Sequence, residues 1–302
     1  IIILLIFPIS NTAISKSPPL GTGSLVPSNI MIMLDNSGSM GWNLAGNQLS
    51  SSSAGLNYPQ EVKTDSNGDV YVLQSGNTYF NGTNYRMHVF GSDGTLKRRM
   101  MPYKYNFPPN CSGETNIDRR FDIYDDKIYT LDGGYGYSHT GIIKVFSLTG
   151  QCLQLKKDIG YPMYGASSTR FESIAVTENY IFLGSGSCRF YCGVNYIGAG
   201  SITVLRRSDF SYVTIINTAT RNIKDITSLT VNSDGTKLLV TSKFGHGGYP
   251  PRVATFNIQS NGSLNFERFF GNTSSKCYGS TCSNGYHNQP WDAAFDSSGN
   301  IY

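Results

Sequence analysis

The sequence predicts an all-β fold: a β-propeller of four-stranded blades, four of them complete and a fifth in part, preceded by a short α/β element. Three observations carry that prediction. A motif opening at Tyr58-Pro59 returns at Gln289-Pro290, short β-rich runs are joined by Asp-Gly or Asn-Gly, and no stretch has the 3.6-residue apolar period of an amphipathic helix. The composition agrees. The 302 residues are 39% hydrophobic and 15% charged, whereas soluble domains average roughly 25% charged. With 16 Phe and 20 Tyr the chain can bury a core, which excludes wholesale disorder. A net charge of +4, with Lys97-Arg98-Arg99 as the densest basic run, argues against nucleic-acid or membrane-surface partners. No apolar run approaches the roughly 18 residues of a membrane span.

Taken in order, Ile1 to Ile9 is a short apolar run followed by Ser10, Asn11 and Thr12, with Ala13 and Ser15 as a small-x-small pattern. This reads as a secretory signal peptide over 1–15, truncated at its start, and implies a secreted or cell-surface protein. Residues 16–28 read as a linker. Asn29-Ile30-Met31-Ile32-Met33-Leu34 suits a fully buried parallel strand. It delivers Asp35-Asn36-Ser37-Gly38-Ser39-Met40 at its carboxyl end, where open α/β sheets place ligands. Asp35, Ser37 and Ser39 are hard oxygen donors on alternate residues, which suits Mg2+ or Mn2+. The strand and its D-x-S-x-S loop resemble the metal-ion-dependent adhesion site of a von Willebrand factor type A domain. The resemblance implies a helix next, yet Gly41 to Asn57 is rich in Gly, Ser and Asn. The favoured reading of 29–57 is the opening of an A domain into which the propeller is inserted, since surface loops tolerate inserts whose ends lie close together.

The propeller occupies 58–302. Tyr58 to Val72 carries Asp65-Ser66-Asn67-Gly68-Asp69-Val70-Tyr71, matched near the end by Asp296-Ser297-Ser298-Gly299-Asn300-Ile301-Tyr302. Weaker copies lie at Phe121–Leu131, Ser173–Leu183 and Ser228–Thr241. The residue opening each second strand is Val70, Ile128, Ile181, Leu238 or Ile301, at spacings of 58, 53, 57 and 63. Third strands are expected at His88-Val89-Phe90, Ile143–Phe146, Ile202–Leu205 and Val253–Phe256, each running into an Asp- or Gly-bearing turn. The pattern Pro, apolar alternation, Asp-Ser-x-Gly-x-Ile/Val-Tyr resembles the NHL-repeat family, which implies a ring of five to seven blades used mostly for binding. The last strand pattern breaks off at Tyr302, so the chain reads as a fragment. With the A-domain motif, the plan resembles bacterial surface adhesins, including those at type IV pilus tips.

Antiparallel succession sorts the connections onto two faces. Short turns (Ser66–Gly68, Asp93-Gly94, Asp125-Asp126, Ser233–Gly235) fall on one. The other takes the long connections expected at Ser75–Arg86, Gly133–Gly141, Gly184–Gly200 and Gly245–Pro251 within blades, and at Met101–Asp118, Tyr161–Thr169 and Asn272–Gln289 between them. Long loops in compact domains are usually functional or disordered. These carry Tyr135, Tyr137, His139, Tyr191, Tyr196, His246, Tyr249, Tyr286 and His287, rings with polar tips that suit a protein or glycan ligand on a surface. A second constellation, Glu61, Glu172 and Asp292, aligns near the start of the innermost strands, with Arg119 and Thr227 approximately there in the other blades. It could converge on a cation, but the favoured reading is a set of framework residues bonded to neighbouring backbone. Six cysteines in a secreted chain favour disulfides: Cys188–Cys192, Cys277–Cys282 and, by remainder, Cys111–Cys152. His88 reads as structural, and neither a G-x-S-x-G elbow nor an H-E-x-x-H helix occurs. The expected function is therefore adhesion or recognition, with a secreted propeller lyase or hydrolase acting on glycans or peptides as the alternative.

Overall fold

The computed structural model describes residues 59–80, 83–102, 120–132, 141–159, 171–186, 200–242, 252–270, 292–296 and 298–302, all within the compact unit Leu34–Tyr302. Blade 1 comprises β1 (Pro59–Thr64), β2 (Val70–Phe80), β3 (Thr83–Phe90) and β4 (Leu96–Pro102). Blade 2 follows with β5 (Arg120–Tyr124), β6 (Lys127–Asp132), β7 (Ile142–Ser147) and β8 (Cys152–Lys156). Blade 3 has β9 (Phe171–Val176), β10 (Tyr180–Ser185), β11 (Ser201–Arg206) and β12 (Tyr212–Asn217). Blade 4 has β13 (Ile226–Val231), β14 (Lys237–Ser242), β15 (Arg252–Ile258) and β16 (Leu264–Phe270).

Each blade is an antiparallel meander in chain order. The first strands are neighbours, β1 beside β5, β5 beside β9 and β9 beside β13, so they stand innermost and the sheets fan outward as propeller blades. After the fourth blade, Phe295 and Ile301 form an isolated antiparallel bridge. The second strands begin within a residue of Val70, Ile128, Ile181 and Leu238, where the repeat spacing predicts them.

Blades are held face to face by apolar layers. Tyr71, Leu73, Met87 and Val89 of blade 1 meet Phe121, Ile128 and Phe146 of blade 2. Tyr129, Leu131, Ile143 and Val145 leave the opposite face of blade 2 for Ile174, Val176, Ile181 and Leu183. Phe182, Ile202 and Val204 meet Leu229, Leu238, Val240 and Phe256, and Leu239 and Val253 meet Ala293, with Phe295 and Ile301 against them. Both faces of the middle strands are therefore buried, which is why β6, β7 and β10 are covered along successive residues rather than alternate ones. Each side chain so buried contributes roughly 1.5–3 kcal/mol.

The repeat motif is turn chemistry. The Asp65 carboxylate accepts the Asn67 and Asp69 amides, both at 2.9 Å, and the Tyr71 hydroxyl at 3.1 Å, while Gly68 takes φ +79°. Asp296 repeats this with the Ser298 and Asn300 amides at 2.8 Å and the Tyr302 hydroxyl at 3.4 Å, around Gly299 at φ +80°. Asp, Gly and Tyr recur together because one carboxylate closes the turn and tethers the strand that follows.

Blade 1 departs from expectation. Ser75–Arg86 is not an open loop. β2 runs on to Phe80 and β3 starts at Thr83, with Thr78↔Tyr85, Tyr79↔Asn84 and Phe80↔Thr83 in register. In sequence Asn81-Gly82 lies between them, the strongest short-range hairpin signal.

Candidate functional site

The two ends of the blades differ. At one end the links are tight, such as Asp125-Asp126 at φ +52° and +53°, or Asp93, Asp209 and Asn261 each accepting the amide two residues on. At the other end β6 and β7 are separated by 133–141, β10 and β11 by 186–200, β14 and β15 by 243–251, β4 and β5 by 103–119, and β8 and β9 by 157–170. There too β2 and β3 are separated by 81–82 alone, and the crossing from β12 to β13 is wound into a 3-10 turn at Ala219–Arg221. Contacts between first strands show that they run in one sense: Gln60-Glu61 meets Arg120-Phe121, and Asp122 meets Val176. The long connections thus leave from a common end.

That end rests on a buried polar layer. Where pairing to the first strand stops, the second strands carry Gln74, Asp132, Ser185 and Ser242, all buried, whereas their opposite ends open on apolar Val70, Ile128, Ile181 and Leu238. The layer is internally bonded. Arg86 donates to the Gln74 carbonyl at 3.4 Å, the Ser201 amide to Ser185 Oγ at 2.9 Å, and Ser242 Oγ to the Arg252 carbonyl at 3.4 Å. Polar groups are costly to bury unless bonded, so their concentration at one end marks it as chemically distinct.

Closer to the axis lies a charged cluster. Glu61, 6% exposed, accepts the Phe121 amide at 2.7 Å and stands 3.8 Å from Lys63 Nζ. Arg120 donates to the Glu172 carbonyl at 2.8 Å and the Gln60 carbonyl at 3.1 Å, spanning blades 1 to 3. Asp122 accepts the Val176 amide at 2.8 Å, and Ser228 donates to Asp292. Burial pushes the Glu61 carboxyl up to about 7, against the pull of Lys63, Arg120 and the Phe121 amide. Burial likewise raises Asp122. For Lys63, burial opposes the charge, but the Asp122, Glu61 and Asp292 carboxylates outweigh it and hold the pKa above its ordinary value. The cluster satisfies inner-edge amides that no further strand pairs: a side chain from one blade caps the first strand of the next.

The three aligned carboxylates do not converge. Among the described residues no three His, Cys, Asp or Glu side chains come together as a metal group. Turn length is the cause. Five residues join Thr64 to Val70 but four join Val176 to Ile181, so Leu73 pairs with Glu61 whereas its counterpart Gly184 pairs with Ser173. Glu172 instead sits at the register shift of β9, as Gln60 does in β1 and Thr227 in β13. A displacement of one residue turns a side chain to the other face. The framework reading holds for Glu61, whose carboxylate bonds neighbouring backbone.

The other expected site residues lie outside the described residues: Asp35, Ser37 and Ser39, and Tyr135, Tyr137, His139, Tyr191, Tyr196, His246, Tyr249, Tyr286 and His287. So do Cys111, Cys188, Cys192, Cys277 and Cys282. Cys152 is 5% exposed and disulfide-bonded, to a residue outside the described set. His88 is fully buried in β3 beside Phe90, with a ring separation of 6.4 Å and neither nitrogen hydrogen-bonded. Burial, with Arg99 adding to it, brings its pKa down to about 4. Sequence reasoning did not single out Lys63, Arg120 or Asp122. A charged residue inside the first strands of blades 1 to 3 was the available signal.

No family model matches the chain, and no curated protein matches it. Solved structures do. A Bacteroides fragilis protein provisionally assigned as a 6-phosphogluconolactonase is 13% identical over 84% of this chain and 78% of that one, with a TM-score of 0.43. The β-propeller domain of Cps50 (Swd1) from Myceliophteria thermophila is 10% identical over 70% of this chain and 59% of its own, TM-score 0.44. Hydrazine synthase from Kuenenia stuttgartiensis is 11% identical over 72% of this chain and 52% of its own, TM-score 0.43. Likeness at this level carries nothing about activity, and the propeller architecture rests on the sheets themselves. Among the described residues no helix is long and apolar enough to cross a membrane.

Proposed function

We propose that the chain is a secreted or surface-displayed recognition protein that binds a protein or glycan through the propeller face bearing the long connections. One observation carries the reading: the long links leave from the blade end underlain by the buried polar layer of Gln74, Asp132, Ser185 and Ser242, while the opposite end is closed by tight turns. Rigid blades with variable loops at one end are a common way to position recognition residues. In sequence, Tyr135, Tyr137 and His139 fall between β6 and β7, Tyr191 and Tyr196 between β10 and β11, and His246 and Tyr249 between β14 and β15. The NHL-like repeat and the A-domain-like Asp35-x-Ser37-x-Ser39 motif support adhesion over catalysis, with Mg2+ or Mn2+ held by Asp35, Ser37 and Ser39 once the rest of that domain is present. Glu61, the carboxyl with a near-neutral pKa, is engaged in the clasp to Phe121 and supplies no separate catalytic group.

The test is binding of the purified chain to a glycan array and to immobilised extracellular-matrix proteins. Joint replacement of Tyr135, Tyr137 and Tyr249 by Ala should lower the retained signal at least tenfold and leave the thermal midpoint within a few degrees. An undiminished signal, with loss instead on substituting Arg207 or Asp234 at the short-turn end, would place the binding surface on the opposite face.

A further inference from the structure

Among the described residues the outer strand of each blade leaves one edge unpaired, and natural sheets often blunt such edges with charge or proline. Three of the four outer strands follow this rule. β4 carries Lys97, Arg98, Arg99 and Pro102, β8 carries Lys156, and β16 carries Glu267 and Arg268. β12, Tyr212-Val213-Thr214-Ile215-Ile216-Asn217, has no charge and no proline. It lies open: Tyr212 is 61% exposed, and Val213 and Ile216 are only partly buried against the blade 3–4 core.

The register shows which backbone groups face outward. The Thr218 amide bonds the Gly200 carbonyl at 2.8 Å, flanking the Ser201↔Asn217 pair, and the Arg206 amide bonds the Ser211 carbonyl at 2.8 Å, flanking Leu205↔Tyr212. Both are therefore non-hydrogen-bonded pairs, whose own N–H and C=O groups point away from β11, and alternation adds Ile215 to the set. The Asn217 carbonyl is taken by Thr220 Oγ1 at 3.1 Å. The groups left presented are the N–H and C=O of Tyr212 and Ile215 and the N–H of Asn217. The shift between Val204 and Leu205 places one extra residue of β12 between Tyr212 and Ile215. Three donors and two acceptors thus stand along an apolar edge.

An arginine stands near each end of this edge. Arg206, exposed, donates to Ser211 Oγ at 3.1 Å and shares its end with the exposed Asp209 carboxylate, and Arg221 follows the edge with its guanidinium 4.4 Å over the Phe266 ring. We propose that the β12 edge docks an extended segment of a partner protein: about five uncharged, β-branched residues flanked by carboxylates, added as a fifth strand. A second copy of this chain fits less well. Antiparallel pairing of two β12 edges would bring Arg206 of one beside Arg221 of the other. The site is distinct from the long-connection face, and each can fail without the other.

The probe is a fluorescein-labelled peptide, Glu-Thr-Val-Thr-Val-Thr-Glu, titrated into the whole chain by fluorescence anisotropy with hydrogen exchange followed at the Ile215 amide. Saturable binding that protects that amide is expected. Ile215→Pro, which removes only the outward donor of an edge strand, should weaken it at least tenfold while the glycan-array signal persists. Should that variant fail to fold, Arg206→Glu with Arg221→Glu decides: it should reject the Glu-ended peptide and take its Lys-ended counterpart. No binding by the unaltered chain, unchanged peptide preference after charge reversal, or full binding by folded Ile215→Pro would overturn the proposal. So would a concentration-dependent dimer that Ile215→Pro dissolves, since the edge would then belong to a second copy.

Discussion

Glu61 and His88 are both buried in blade 1, and their titrations oppose one another. Glu61 holds its proton up to about 7 against an ordinary 4.5, so the folded state binds that proton more tightly than the unfolded chain. Its contribution is fully present below about 4.5 and is lost as pH rises through about 7. His88 is held down to about 4 against an ordinary 6.5, so its proton favours the unfolded chain. Its contribution is fully present above about 6.5 and is lost as pH falls through about 4. Each gap is about 2.5 pH units, 7 less 4.5 and 6.5 less 4. At about 1.4 kcal/mol per unit, each group moves stability by about 3 kcal/mol, with opposite signs over nearly the same window. These two groups together should leave stability almost flat between pH 4.5 and 6.5. Glu61→Gln keeps an acceptor for the Phe121 amide and removes one arm, so stability should fall by about 3 kcal/mol on acidification from pH 6.5 to 4. His88→Phe removes the other, so stability should fall by a similar amount as pH rises from 4.5 to 7. Urea unfolding at half-unit intervals, with the double variant as reference, reads both slopes. If the two single variants keep the unaltered profile, or tilt in the same direction, the burial argument for this pair is wrong.

Gly184→Ala should destabilise by about 1–3 kcal/mol, read as an earlier urea midpoint, because its new Cβ would strike Ser173 Oγ and lie 2.6 Å from Ile226 Cγ2 between blades 3 and 4. Asp122→Ala strands the Val176 amide and should cost about 1–3 kcal/mol, with Asp122→Asn recovering most of it as a neutral acceptor. For the metal, calorimetry with Mg2+ and Mn2+ on the complete protein should show binding that Asp35→Ala abolishes, and equal heats from both proteins would remove the assignment. Non-reducing peptide mapping should recover Cys188 linked to Cys192, and free thiols at both would refute that bridge.

Most of the blade architecture is legible because it depends on chemistry local in the chain. Asp65 and Asp296 announce their turns through the residues they cap, and β2, β6, β10 and β14 start where the repeat spacing puts them. Ser75 to Arg86 reads as a loop because Gly76 and Asn77 carry loop composition, yet the pairing continues to Phe80↔Thr83. The axial cluster is illegible for a different reason. Whether Lys63 or Asp122 points toward the next blade follows from strand register, and a turn one residue shorter, as between β9 and β10, changes the answer without leaving a mark in composition. Gap-free alignment therefore equates Glu61 with Glu172, although register equates Glu61 with Ser173.

The distribution of buried polarity bears on why this fold would be retained. A propeller needs only apolar faces between blades, and the short-turn halves of β6, β10 and β14 are built that way from Ile128, Ile181 and Leu238. Carrying the same chemistry to the other end would have stabilised the chain at no cost in bonding. Instead the strands close on Gln74, Asp132, Ser185 and Ser242. Burying such groups contributes little net stability even when every hydrogen bond is made. The concentration of polar groups beneath the long connections is therefore better explained by what that end does than by what holds the blades together.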